Sequence, residues 1–300
     1  LWNIQLNSKI LGSISNIDAY KNSKYQCLFN TKNQLYLIDR NGENVDNFPI
    51  LLPCSTSIGH SLFDYNNTRK YRILIVGDDN NIYNIDKKGK RIKGWKYEKT
   101  NNKINKKLQN FRVGTKDYIL AESNNSNTQL LAINGSERVK FKQGIKFNGN
   151  PIRIDKEGTL YAITNEGKLW RGTLDGNSSQ LTLSNLAANS LFTIDERGKE
   201  KQFIFTNNKK VFILNTSFET IHSFALTNII TKLEKNNKGL MLTTKNELYL
   251  WNTDGVLEGF PIKSDGYFNI ADIDNNGKIN LINTKNGFIY NYELADYSSK

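Results

Sequence analysis

Seven times along this chain, a run of alternating β-branched and aromatic residues leads to an apolar anchor: Tyr36, Tyr83, Leu131, Trp170, Phe212, Tyr249 and Tyr290. The steps between anchors are 47, 48, 39, 42, 37 and 41 residues. That is the span of a four-stranded unit with strands of about five residues and short turns. A repeat of this length constrains the fold strongly, because one unit cannot bury its own apolar face. Three copies hold a common register. Asp18 to Tyr25, Asp64 to Tyr71 and Asp272 to Ile279 are each seven residues apart, with the anchor a further 11, 12 and 11 residues on. Turn residues punctuate each copy: Thr31-Lys32-Asn33, Asn80-Asn81 and Asn286-Gly287 before an anchor strand, and Asp39-Arg40-Asn41-Gly42, Asp86-Lys87-Lys88-Gly89 and Asn252-Thr253-Asp254-Gly255 after it. No 3.6-residue apolar period persists for the ~10–12 residues a helix needs. The chain is predicted to be all-β.

The two ends of the repeat predict how it closes. The last hairpin, at Tyr290, has no outer strand after it, and Leu1-Trp2-Asn3-Ile4-Gln5-Leu6 reads as an outer strand with no unit before it. Pairing Leu1–Leu6 with Phe288–Tyr292 completes a seven-bladed β-propeller over residues 1–300, a single domain without open sheet edges. The chain opens in mid-pattern without a methionine and reads as a piece of a longer protein. An apolar share of 38% with 11% aromatics excludes disorder. No stretch approaches the ~18 apolar residues of a membrane span, and no charged and apolar leader stands at the start. Cys27, inside Cys27-Leu28-Phe29, is expected in the core, and Cys54 as an isolated thiol. Two cysteines exclude a disulfide framework, and without further partners they exclude a zinc site.

Two segments carry chemistry. Asp272, Asp274, Asn276 and Asn280 stand at positions 1, 3, 5 and 9 of a loop with Gly277 at position 6, a spacing that wraps oxygens around Ca²⁺ with the Lys278 carbonyl. Position 12 is Asn283 and not Glu, and only two ligands are charged, so only weak Ca²⁺ binding is expected and no other cofactor. The equivalent loops at Asp18 and Asp64 are expected to be metal-free. Residues 87–116 hold twelve Lys/Arg and one acid, Glu98, which is +11 of the chain's net +12. Lys87, Lys88, Lys90, Arg91, Lys93, Trp95 and Lys96 lead this run and are candidates for binding an anionic partner. No defined nucleic-acid motif accompanies them. His60, after Gly59 in a loop, and His222, in an alternating strand, are expected to be structural or solvated. GxSxG, HExxH and P-loop motifs are absent.

The run from Tyr249 through Trp251, Asp254 and Gly255 to Gly259-Phe260-Pro261-Ile262, followed by Asp272-Ile-Asp274-Asn-Asn276-Gly277, resembles the FG-GAP-like propeller repeat. Asp86 through Gly89 and Lys90 to Trp95 resembles the tryptophan-docking turn of PQQ-type propellers. The whole chain resembles the C-terminal propeller of a Bacteroidota envelope protein family of unknown function, with its motifs concentrated outside residues 145–235. The resemblance implies a periplasmic or envelope-associated location and a non-enzymatic role in binding or scaffolding a protein partner. Some relatives carry a ribonuclease HII label, which makes a hydrolase or nuclease the alternative. Two-metal nuclease chemistry needs converging carboxylates, whereas the 29 acids here are scattered through turns. The adjacent cysteine pair of PQQ dehydrogenases also has no counterpart. A glycan-binding propeller using exposed Trp and Tyr is a further alternative.

Overall fold

The computed structural model describes residues 2–99, 103–123, 128–141, 145–236, 238–252, 255–272 and 276–294. Seven antiparallel sheets follow one another along the chain. The first comprises Leu11–Ile17, Gln26–Asn30, Gln34–Ile38 and Ile50–Leu51; the second Ser61–Phe63, Arg72–Val76 and Ile82–Ile85; the third Gln109–Val113, Lys116–Ala121, Gln129–Leu131 and Glu137–Lys140. The fourth comprises Arg153–Ile154, Leu160–Ile163, Leu169–Gly172 and Ser178–Leu181; the fifth Phe192–Asp195, Gln202–Asn207, Lys210–Leu214 and Thr220–Ala225. In the sixth, Lys232–Lys235, Leu240–Thr243 and Glu247–Asn252 are followed by Gly255–Val256 and Ile262–Lys263, which both pair with the third strand. The seventh has Phe268–Ala271, Asn280–Lys285 and Phe288–Glu293. All seven sequence anchors lie on the third strand of their sheet. The fold is a seven-bladed β-propeller without helices among the described residues, so no helix is long and apolar enough to cross a membrane.

The expected closing strand is corrected. Residues 2–10 have no strand geometry, and Leu1 lies outside the described residues. Ile4, Leu6 and Ile10 do turn toward the protein, but they pack on Phe29, Tyr36 and Ile38 of the first sheet. Apolar packing holds the segment there without a hydrogen-bonded ladder.

Residues 1–149, 156–159 and 172–179 form one compact unit, and 150–155, 160–171 and 180–300 another. In the first unit the strand Gln34–Ile38 is buried along nearly all its length. Leu35 and Leu37 enter a cluster with Leu28, Ile73 and Ile75, while Tyr36 and Ile38 enter the opposite one with Phe29. A period of two with both faces covered produces this uninterrupted apolar run. The second unit repeats the scheme: Phe203 and Phe205 pack with Tyr161 and Phe192, and Ile204 turns to Leu240, Leu242 and Tyr249.

Within the first unit a second repeat appears in the loops. The turn after each third strand carries a glycine at positive φ, and a side chain from upstream lies against it. Trp2 lies on Gly42, Ile50 on Gly89, Trp95 on Gly135, and Val139 with the Lys140 carbonyl on Gly176. The indole Nε1 of Trp2 donates to the Arg40 carbonyl at 2.9 Å, and that of Trp95 to the Ile82 carbonyl at 2.7 Å. A Cβ on Gly135 would lie 2.9 Å from both the Trp95 ring and the Tyr97 nitrogen. Gly94 has a similar φ, +78 against +86, with nothing within 4 Å of its would-be Cβ. Gly94→Ala should therefore cost only the left-handed conformation, about 1–2 kcal/mol. Gly135→Ala should cost about 1–3 kcal/mol more through overpacking. Equal losses in denaturant unfolding would show that the indole is not seated on this turn.

Candidate functional site

Ten of the twelve cations in 87–116 are exposed, all but Lys87 and Lys106. Exposure does not make them equivalent. The Lys87 ammonium donates to the Ala19 carbonyl. The Arg91 guanidinium lies over the Tyr83 ring, 5.2 Å from its centre. Lys106 pairs with Glu122 at 2.7 Å. Arg112 forms a fork with Asp117, Nε to Oδ1 at 2.8 Å and Nη2 to Oδ2 at 2.7 Å, and also reaches the Tyr65 carbonyl at 2.7 Å. Trp95, expected to serve the partner, is half-buried and holds the core and the turn at Gly135 together. Of the seven leading candidates, Lys88, Lys90, Lys93 and Lys96 remain exposed without an ion pair among the described residues. Lys93 also borders a cleft of about 280 Å³, whose lining includes Tyr65, Lys70, Arg72, Ile92, Trp95 and Ile133. Sequence reading missed this cleft, since Ile92 and Ile133 belong to different sheets' loops and no local pattern connects them.

The three register-matched aspartates are brought into one geometry. Asp18 accepts the amides of Asn22 and Ser23 at 3.0 and 2.9 Å; Asp64 those of Thr68 and Arg69 at 3.1 and 2.7 Å; Asp272 those of Asn276 and Gly277 at 3.1 and 2.9 Å. Each carboxylate clasps the fourth and fifth amides of its own loop, and the last residue of each clasp has positive φ. Arg69 joins two loops: its amide serves Asp64 and its guanidinium pairs with Asp18 at 2.6 Å. Burial pushes the Asp18 carboxyl up, but the amides of Ser23 and Asn22 and the Arg69 charge outweigh it and hold it below the ordinary range. In the expected calcium loop, the Lys278 amide donates to Asn276 Oδ1 at 2.7 Å, and its ammonium pairs with Glu293. Asn280 is buried at the start of a strand, and Asp274 lies outside the described residues.

His222 lies exposed beside Trp251, their ring centres 5.7 Å apart. His60 is fully buried. Its amide donates to Asn30 Oδ1 at 2.7 Å, and its Nδ1 lies 3.3 Å from the same oxygen. Asn30 spends its own amide hydrogens on the carbonyls of Thr31 and Ile58. Nδ1 must therefore carry the hydrogen, leaving Nε2 to accept from the Ser15 hydroxyl at 2.9 Å. This strut ties the first sheet to the loop that opens the second. Burial, with Lys107 nearby, lowers the His60 pKa to about 4.

No family model and no curated protein matches the chain. Its structure is similar to several solved ones. BamB from Moraxella catarrhalis matches with a TM-score of 0.61 at 14% identity, over 98% of this chain and 88% of that one. BBS1N, solved in complex with ARL6DN, matches at 0.60 and 10%, over 97% and 94%. Virginiamycin B lyase from Staphylococcus aureus matches at 0.56 and 15%, over 90% and 95%. At such identities the likeness shows the propeller fold and nothing finer.

The His60 strut has a pH signature. An unfolded imidazole ionises near pH 6.5, so between pH 6.5 and 4 the unfolded chain takes up a proton that the folded chain does not. The strut's contribution is complete above about pH 6.5. It should fall by about 3 kcal/mol as the pH drops to about 4. Denaturant unfolding across this range should show that loss in the wild type and not in His60→Gln. Parallel curves would place the titrating group elsewhere.

Proposed function

We propose that this chain is a protein-interaction propeller, and that Lys88, Lys90, Lys93 and Lys96 form part of the surface that meets its partner. One observation carries the reading. Among the described residues these four ammoniums have no ion pair, while the neighbouring Lys87, Arg91, Lys106 and Arg112 are all engaged within the protein. A concentrated field of one sign attracts an opposite charge over about a Debye length, ~8 Å at physiological salt. The similar BBS1N structure was solved with a protein partner, which supports this use of the fold. The envelope setting implied by the sequence resemblance belongs to the same proposal, and fractionation of native cells tests it.

Replacing the four lysines by Gln together should leave thermal stability within about 1 kcal/mol of wild type, since exposed charges contribute little. The same replacement should remove the proteins that the wild type captures from its host at low salt. An unchanged captured set would place the partner surface elsewhere. We propose that the loop at Asp272 binds Ca²⁺ no more tightly than ~10⁻⁴ M, because its first carboxylate is already shared between two amides. A calorimetric titration giving a site tighter than ~10⁻⁴ M would overturn this.

A further inference from the structure

We propose that the free lysines and the adjoining cleft form one docking surface for an extended acidic protein segment that carries a single large apolar residue. This rests on the partner-binding reading above and specifies the partner's chemistry.

The lysines decide what kind of anion is read. Lys88 to Lys96 cover up to ~26 Å if the chain is extended at ~3.3 Å per residue. Here it turns at 87–88 and 93–94 and is held by the Ile85–Arg91 bridge and by backbone bonds from the Asp86 amide to the Lys90 carbonyl, from Ile92 to the Asn84 carbonyl and from Lys96 to the Asn134 carbonyl, so the four lysines are spread over less than that length. The two guanidinium groups of residues 87–116, which could grip one phosphate or carboxylate through two parallel bonds, are committed elsewhere, Arg91 to Tyr83 and Arg112 to Asp117. What remains are compact charges on flexible stems, which respond to charge density along a line rather than to the shape of one group.

The aromatic residues disfavour nucleic acid. Single strands are held by bases stacking on free rings. The Trp95 indole is seated on Gly135, Phe111 is stacked on Tyr118 at 5.1 Å, and Tyr97 packs on the second sheet's core. The cleft then distinguishes a peptide from a membrane surface. At about 280 Å³ it is smaller than the usual small-molecule site and suits one side chain. Ile133, 47% exposed, Ile92 and the Trp95 edge supply its apolar wall, while Lys70, Arg72 and Lys93 supply its charge. Its two carboxylates do not repel an acidic ligand fully: Asp64 is occupied by amides, Asp117 by Arg112. An acidic segment along the lysines is thus drawn past a notch that rewards one buried apolar side chain.

The probe is a fluorescein-labelled Glu/Asp peptide of about twelve residues, long enough to span the stripe, with one central Phe. Its Phe→Ala counterpart, an oligothymidylate of similar length and anionic phospholipid vesicles are the comparison arms. The Phe peptide should bind roughly tenfold or more tightly than its Ala counterpart. Ile133→Asp, or Ile133→Ser should the first variant misfold, should erase that difference. The four-lysine variant should weaken both peptides, as should raising salt from ~0.1 to ~1 M, which shortens the Debye length from ~10 to ~3 Å. Equal affinity for the two peptides, or tighter binding of the oligothymidylate or the vesicles, overturns the proposal. If host capture stays lysine-dependent while neither peptide binds, the partner reading stands and this one falls.

Discussion

A three- or four-stranded meander has two faces to cover and little of its own to cover them with, so its stability depends on what its neighbours lay against it. In the first unit that contact is renewed at each turn following a third strand. There a glycine leaves room for a side chain arriving from upstream, and the two indoles Trp2 and Trp95 fill this role most fully. Each indole is only partly covered, which contributes on the order of 1–2 kcal/mol. The missing Cβ matters as much as the ring, because any side chain on the turn would stand where the ring lies.

This docking was only partly legible in the sequence. The anchors were legible because turn chemistry and two-residue alternation are local, and all seven fell on third strands. The role of Trp2 was not, since the residues around it alternate like a strand. A longer-range signal was present. Trp2 precedes Gly42 by 40 residues, Trp95 precedes Gly135 by 40, and Ile50 precedes Gly89 by 39. Spacing between an aromatic and a later glycine would have assigned the N-terminal segment to turn docking rather than to a ladder.

The candidate surface divides along the same line. Composition located the excess charge, and nothing in it could tell Lys88 from Lys87, or Lys93 from Arg91. That difference arises when Ala19, Tyr83 and Asp117, distant or across a hairpin, reach some cations and not others. The aspartate clasps show the reverse. Their shared register was visible as a seven-residue interval, yet it read as a possible metal loop in one copy and a bare turn in the others. The geometry is common to all three, because two backbone amides satisfy the carboxylate equally well whether or not the later ligand positions survive.

Placing +11 of a net +12 within thirty consecutive residues also concentrates the excess charge in the first unit. Such a molecule carries a permanent electric dipole. In the field of an anionic object it is torqued before it is touched, and it arrives with its cationic side leading. Orientation during approach raises the fraction of encounters that are productive, an effect worth roughly 10- to 1,000-fold in association rate where it has been isolated. If the lysines meet an acidic partner as proposed, they act first as a compass and only afterwards as a contact.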